Sequence, residues 1–222
     1  VNRTDIDRLG DRLRERLSSE DLEQLDKYRR SFRAAYDEVV RGIRDELVAE
    51  TSGRPAKSTT AIIEKLKRGS TRLGQMQDVA GCRIVVANLH EQNGIVSKLS
   101  AMFESTVSDR REKDSHGYRA VHVVARHGGA AVEIQVRTKL QHRWAELSEK
   151  AADSHGNAVK YGGGPPELRE MFDSLSELIA VYESAFEAGH LPSAHADSTH
   201  ARFHDELVSI MNEIARLLED RP

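Results

Sequence analysis

The chain has 222 residues, a formal net charge of −3, 38% hydrophobic and 31% charged residues, and a single cysteine. That length allows one medium domain with helical additions or two small units. The charge excludes a global field that would draw in RNA, so any basic site must be local, and one cysteine excludes an intramolecular disulfide framework.

From the N-terminus, Ile6, Leu9, Leu13 and Leu17 recur every three or four residues and predict a helix over 4–17. Ser19 followed by Leu22, Leu25, Tyr28, Phe32, Tyr36, Val39, Val40 and Ile43 predicts one long helix over 19–47. It carries the basic run Lys27, Arg29, Arg30 and Arg33. Residues 50–55 hold Ser52, Gly53 and Pro55 and read as a loop. The run from Gly53 to Ser58 then leads into a helical pattern over 60–68, with Lys57, Lys65 and Arg68 near its ends.

The segment Gln77-Asp78-Val79-Ala80-Gly81-Cys82-Arg83-Ile84-Val85-Val86 predicts a strand with Asp78 at its start, Arg83 inside it and Cys82 as a small buried residue. A helix over 93–103 follows. Gly117-Tyr118-Arg119-Ala120-Val121-His122 reads as a strand reached from a loop, its glycine free to take backbone angles closed to other residues. Glu133-Ile134-Gln135-Val136-Arg137-Thr138 reads as a second strand. Only His127-Gly128-Gly129-Ala130 separates the two, which predicts an antiparallel hairpin. Period-2 alternation puts Glu133, Gln135 and Arg137 on the face opposite Val132, Ile134 and Val136.

Lys139–Ala152 predicts a helix with Leu140, Trp144 and Leu147 inward. Its His142 and Glu146, four apart, read as packing or substrate contact rather than a metal site. Tyr161-Gly162-Gly163-Gly164-Pro165-Pro166 is a helix stop, and no Lys-Ser/Thr pair follows to make it a phosphate loop. A helix over 167–186, a linker over 188–201 and an amphipathic helix over 203–218 complete the chain. The linker carries His190, His195 and His200, whose five-residue spacing fits no common helix-face metal site, so they are expected in solvent. No stretch approaches the roughly 20 apolar residues of a membrane helix, and no secretory leader is recognised. A cytoplasmic protein is expected.

Two acids on strands, Asp78 and Glu133, are thus accompanied by basic residues from separate segments. Carboxylates suit Mg²⁺, while Arg and Lys suit phosphate oxygens, so this composition fits a metal-bound polyphosphate. Taken singly, each residue has a plainer role. Asp78 could cap a turn, Glu133 could face solvent, Tyr118 could be a core aromatic, His122 a structural histidine, and Lys65 and Arg68 exposed helix charges.

The order of four motifs argues otherwise. K-S-x-x-x-I-x-x-K-L-x-R from Lys57, D-x-A-G-x-R-I from Asp78, G-Y-R-x-x-H from Gly117 and E-I-Q-x-R-T from Glu133 together resemble the synthetase domain of RelA/SpoT proteins, which are nucleotide pyrophosphokinases. The resemblance covers about residues 40–160. It implies an α/β fold, a mixed β-sheet flanked by helices of nucleotidyltransferase type, with helical N- and C-terminal extensions: helices over 1–48, a synthetase core over 49–160 and a helical extension over 161–222. It also implies transfer of pyrophosphate from ATP to the 3′-hydroxyl of a guanosine nucleotide, GDP or GTP, making (p)ppGpp.

Residue by residue, the resemblance makes Asp78 and Glu133 the catalytic and Mg²⁺-binding acids, Glu133 doubling as a candidate general base. Arg54, Lys57, Ser58, Lys65, Arg68, Arg83 and His122 become the ATP-binding residues. Lys113, Tyr118, Gln135 and Arg137 become the acceptor-binding residues, with Tyr118 stacking on the purine. The sequence departs from the family at Asp109-Arg110-Arg111-Glu112-Lys113-Asp114, where Asp114 replaces the usual Lys four before the tyrosine. No His-Asp dipeptide has the partners of the bifunctional relatives' hydrolase, and the regulatory C-terminal domains of the long members are not recognised. A small stand-alone synthetase is expected, and a homo-oligomer is compatible with it.

Two other classes stay open. One is a toxin of a toxin–antitoxin pair that pyrophosphorylates the tRNA 3′ end or makes adenosine alarmones, with tRNA and an antitoxin protein as partners. The other is a non-catalytic nucleotide-binding or interaction module that kept the fold.

Overall fold

The computed structural model describes residues 2–69, 71–112, 116–187 and 196–219. Helix α1 (Arg3–Glu15) starts where the Asn2 side chain accepts the Thr4 N–H at 3.2 Å, and it buries Ile6, Leu9 and Leu13 along one face. Ser18 caps α2 (Ser19–Arg30) by accepting the Asp21 N–H at 3.1 Å. The helix then breaks, and α3 (Arg33–Leu47) follows, so the single helix expected over 19–47 is two. Ser31 and Phe32 at the break keep right-handed helical angles, with φ of −63° and −80°. The apolar periodicity therefore runs through the break without a shift, and the sequence carries no sign of it.

Strand β1 (Ser52–Arg54) lies antiparallel to β2 (Ala80–Val86), pairing Ser52 with Arg83, Gly53 with Cys82 and Arg54 with Gly81. A Cβ on Gly53 would lie 2.5 Å from Cys82 Cα, so this crossing needs glycine. Between the two strands Ser58 caps α4 (Thr59–Arg68), its hydroxyl accepting the Ala61 N–H at 3.3 Å. Beyond β2 come α5 (Leu89–Met102), β3 (Ser105–Asp109) and the hairpin of β4 (Val121–His127) and β5 (Ala130–Thr138). The hairpin turns on Gly128 and Gly129 alone, with φ of +55° and +80°. Both central residues in the left-handed region are what a tight two-residue turn requires. The five strands form one mixed sheet in the order β1-β2-β5-β4-β3. The loop expected over 50–55 thus includes a strand, and β3 had no counterpart in the sequence reading.

Helix α6 (Lys139–His155) opens with a capping box in which Thr138 and Gln141 each bond the other's backbone. Helices α7 (Pro166–Glu187) and α8 (Ala196–Glu219) follow.

By packing, the chain divides into two compact units. The first holds residues 1–84, 96–107 and 122–135, the second residues 85–95, 108–121 and 136–222. In the first, Leu9, Leu13, Leu25, Ile62 and Leu66 are fully buried where α1 and α2 meet α4, and Ile43 of α3 is fully buried as well. Arg14 joins α1 to the end of α4, donating to the carbonyls of Leu66 at 2.9 Å and Thr71 at 2.7 Å. In the second, Trp144 of α6 packs with Phe172, Leu175 and Ile179 of α7 and Leu207 and Met211 of α8.

Candidate active site

Within the first unit, α4 and the segment leading into β2 bring three predicted residues together. The Lys57 N–H donates to the Val79 carbonyl at 2.6 Å, fixing the start of α4 beside Asp78. Lys57 Nζ then donates to Asp78 Oδ2 at 2.8 Å, and Lys65 Nζ to Asp78 Oδ1 at 2.7 Å. Burial is the strongest single influence on the Asp78 carboxyl and pushes its pKa up. The two ammonium groups outweigh it together, so the carboxyl is held down at about 2. Asp78 is a carboxylate at any physiological pH.

The second acid sits on β5. Gly81 of β2 faces it, and a Cβ there would come within 2.9 Å of the Glu133 carbonyl oxygen. Glycine thus lets the two strands close at this point. The His122 ring, nearly buried on β4, places Nδ1 3.1 Å from Glu133 Oε1, and Gln135 Nε2 donates to Glu133 Oε2 at 2.8 Å. Burial raises the Glu133 pKa most, and the charge of Asp78 raises it further. The His122 and Gln135 contacts overcome both and hold it below the usual range. The influence of the Asp78 charge on Glu133 puts both acids in one electrostatic neighbourhood.

The remaining predicted residues take several places. Ser58 spends its hydroxyl on the α4 cap. Arg54 lies on the exposed edge strand opposite Gly81. Arg83 alternates onto the Gly81 side of β2 and is half-buried, while Arg68 ends α4 in solvent. In the second unit, Arg137 is buried and donates from Nη2 to the Tyr118 hydroxyl at 2.9 Å, its guanidinium carbon 5.1 Å from the ring centre. Tyr118 also meets Trp144 edge-on at 6.5 Å. Lys113 and Asp114 lie outside the described residues, as do His190 and His195 and the side chain of His200. His142 lies 3.5 Å from Glu146, an intrahelical contact.

Among the described residues no group of three or more His, Cys, Asp or Glu is placed to hold a metal ion. The site instead offers two carboxylates, and the donors on their four oxygens are lysines, a histidine and an amide. Two acids suit a Mg²⁺ that keeps waters and takes its other ligands from substrate phosphates, and the lysines suit those phosphates.

The basic run Lys27, Arg29, Arg30 and Arg33 was expected on one helix. In the structure Arg30 pairs with Asp26 at 2.8 Å and Arg33 with Asp37 at 2.7 Å. Arg29 turns inward, donating from Nε to the Lys57 carbonyl at 2.7 Å. The acids at four-residue spacing could have revealed the first two pairs, but nothing local signals the third. A buried network in the second unit was also unforeseen. Glu183 of α7 accepts from Thr138 and from Gln141 Nε2, and Gln92 Nε2 bonds Gln141 Oε1 at 2.8 Å.

The profile described as "Region found in RelA / SpoT proteins" matches residues 53–155. An uncharacterized protein of Mycobacterium tuberculosis is 36% identical over 137 residues, which is 59% of this chain and 50% of that protein. The GTP pyrophosphokinase of Escherichia coli K12 is 31% identical over 151 residues, 64% of this chain and 20% of that protein. The chain therefore spans about half the length of the mycobacterial relative and about a fifth of the enzyme. Among solved structures, the small alarmone synthetase 1 of Bacillus subtilis bound to its product pppGpp matches with a TM-score of 0.58 and 25% identity, covering 76% of this chain and 97% of that one. A GTP pyrophosphokinase family protein from Streptococcus pneumoniae matches in fold with a TM-score of 0.55 and 22% identity, covering 84% of this chain and 98% of that one.

Proposed function

We propose that this chain, whose residues 53–155 match the region found in RelA/SpoT proteins, is an ATP-dependent pyrophosphokinase acting on the 3′-hydroxyl of GDP or GTP. The observation that carries the reading is the pairing of both Asp78 oxygens with Lys57 and Lys65, beside a second ionised acid, Glu133.

In this reaction the 3′-oxygen of the acceptor bonds to the β-phosphorus of ATP. The bond from that phosphorus to the oxygen bridging the α- and β-phosphates breaks, AMP leaves with the bridging oxygen, and the hydroxyl proton passes to a base. Lys57 and Lys65 bind the ATP phosphates. They are already gathered at one carboxylate, so a polyphosphate meets two cations held in place rather than two flexible side chains. Glu133 takes the hydroxyl proton. Being ionised at neutral pH it can accept one, and the hydroxyl becomes acidic as its new bond forms. His122 holds the Glu133 carboxylate in position through Nδ1. Asp78 and Glu133 would hold Mg²⁺, which when bound neutralises charge on the transferred phosphates. Tyr118 stacks on the acceptor's base with Arg137 fixing its hydroxyl, and Lys113 meets the acceptor's phosphates.

The RNA-modifying alternative rested on the altered acceptor motif at Asp114, which lies outside the described residues, and on the basic run of the N-terminal helices. In that run Arg29 is engaged by the Lys57 carbonyl, and Arg30 and Arg33 pair with Asp26 and Asp37, which lowers the net positive charge the run offers to RNA. The product in the Bacillus subtilis structure, pppGpp, supports guanosine. Incubation with γ-labelled ATP and, separately, GDP, GTP, ATP or tRNA, followed by thin-layer separation, tests the proposal. Label should move to GDP and GTP. Transfer to tRNA or ATP alone would overturn the acceptor assignment, and no transfer to any of the four would overturn the enzyme.

A further inference from the structure

We infer that Arg29 is a positioning residue for Lys57, an inference that rests on the proposed role of Lys57 in holding ATP phosphates. Arg29 lies on α2, far from the family-matched region in sequence, and its side chain is only 20% exposed. Its Nε donates to the Lys57 carbonyl at 2.7 Å, and its Nη1 donates to Thr59 Oγ1 and Asp26 Oδ1, both at 3.2 Å. Asp26 thereby orients the guanidinium, and the guanidinium grips the chain on both sides of Ser58.

The Lys57 backbone is consequently held from two directions. Its N–H is bound to Val79, next to Asp78, and its carbonyl is bound to Arg29. Lys57 precedes the Ser58 cap of α4, and the first helical hydrogen bond runs from the Ile62 N–H to the Ser58 carbonyl, so the Lys57 carbonyl is left to Arg29. Lys65 differs: it sits within α4, whose far end is held by Arg14 through the Leu66 and Thr71 carbonyls. Arg29 should therefore act on Lys57 and spare Lys65. A lysine at position 29 could not replace it, because one ammonium lacks the planar fork that reaches a carbonyl and a hydroxyl two residues apart.

Two readouts test this. The first is ATP affinity by equilibrium dialysis with labelled ATP, for Arg29→Ala, Lys57→Ala, Lys65→Ala and the two doubles with Arg29→Ala. Arg29→Ala and Lys57→Ala should each weaken ATP by about tenfold, in line with a charged hydrogen bond. The Arg29/Lys57 double should be no more than about twofold worse than either single, because both remove one interaction, whereas the Arg29/Lys65 double should at least multiply the single losses. The second is acylation of lysines read by peptide mass spectrometry, which needs no ATP. Lys57 should acylate faster in Arg29→Ala than in the parent, with Lys65 unchanged. Arg29→Lys, which keeps the charge, should behave like Arg29→Ala and replaces it if the alanine variant does not fold. Multiplicative losses in the Arg29/Lys57 double, or equal rises at both lysines, would overturn the inference. A parent that binds no ATP but shows the selective rise at Lys57 would overturn the proposed function and leave the positioning role intact.

Discussion

Burial alone would push the Asp78 carboxyl upward, yet Lys57 and Lys65 bring it down to about 2. The folded chain therefore binds fewer protons at this residue than the unfolded one between about pH 4 and pH 2. The resulting stability, on the order of 2 kcal/mol, is complete above about pH 4 and is lost as pH falls toward 2. Urea unfolding of the parent and Asp78→Asn at a series of pH values checks this: the gap between them should shrink on acidification through that window. A constant gap would mean the lysines do not hold the carboxylate in solution. The same substitution, and Glu133→Gln, should lower pyrophosphate transfer by on the order of 10²–10⁴-fold with circular dichroism unchanged, since each removes charge and keeps volume. Near-parental turnover in either variant would remove that acid from the mechanism. Asp78 and Glu133 could be picked out of the sequence because motif order marked them. Their partners could not all be, because Lys57 meeting Asp78 depends on a backbone bond to Val79 that leaves no local pattern.

At the scale of elements, the hairpin was readable because its signal is local: two glycines between alternating strands. The short edge strand β1, exposed at all three residues, and β3, whose burial does not alternate, have no periodicity to read, since each is defined by its neighbour in the sheet. The glycines separate two kinds of constraint. At Gly128 the backbone is left-handed but no atom lies within 4 Å of an added Cβ, so Gly128→Ala should cost only the conformational term, about 1–2 kcal/mol. At Gly117 φ is +80° and an added Cβ would lie 2.6 Å from Trp144 Cζ2. Gly117→Ala should cost about 1–3 kcal/mol beyond that for overpacking and disturb the ring beside Tyr118. Denaturant melts of the two variants compare the costs directly, and the ultraviolet-excited fluorescence of Trp144, the chain's sole tryptophan, reports the local disturbance. Equal costs with unchanged fluorescence would show that Trp144 yields freely.

Over the whole molecule, the two units hold half-buried or buried acids that respond to pH in opposite senses. In the first, Asp78 and Glu133 are kept ionised by lysines, a histidine and an amide. In the second, burial dominates at Glu183 and raises its carboxyl above the usual range, although Thr138, Gln141 and the charges of Arg119 and Arg111 pull the other way. The folded chain then binds more protons at Glu183 than the unfolded one as pH rises through the ordinary glutamate range, so this group's contribution is fully present below about 4.5 and declines above it. Glu183→Gln abolishes the titration. Its amide can still accept from Gln141 and donate to Thr138, so the capping of α6 survives. Urea unfolding from pH 4 to 8, with hydrogen exchange read separately in α6 and α7, should show the variant gaining on the parent as pH rises, with the gain confined to those helices. Parallel pH profiles for parent and variant would mean that Arg119 and Arg111 compensate the buried charge fully, and that the second unit carries an ionised Glu183 at neutral pH.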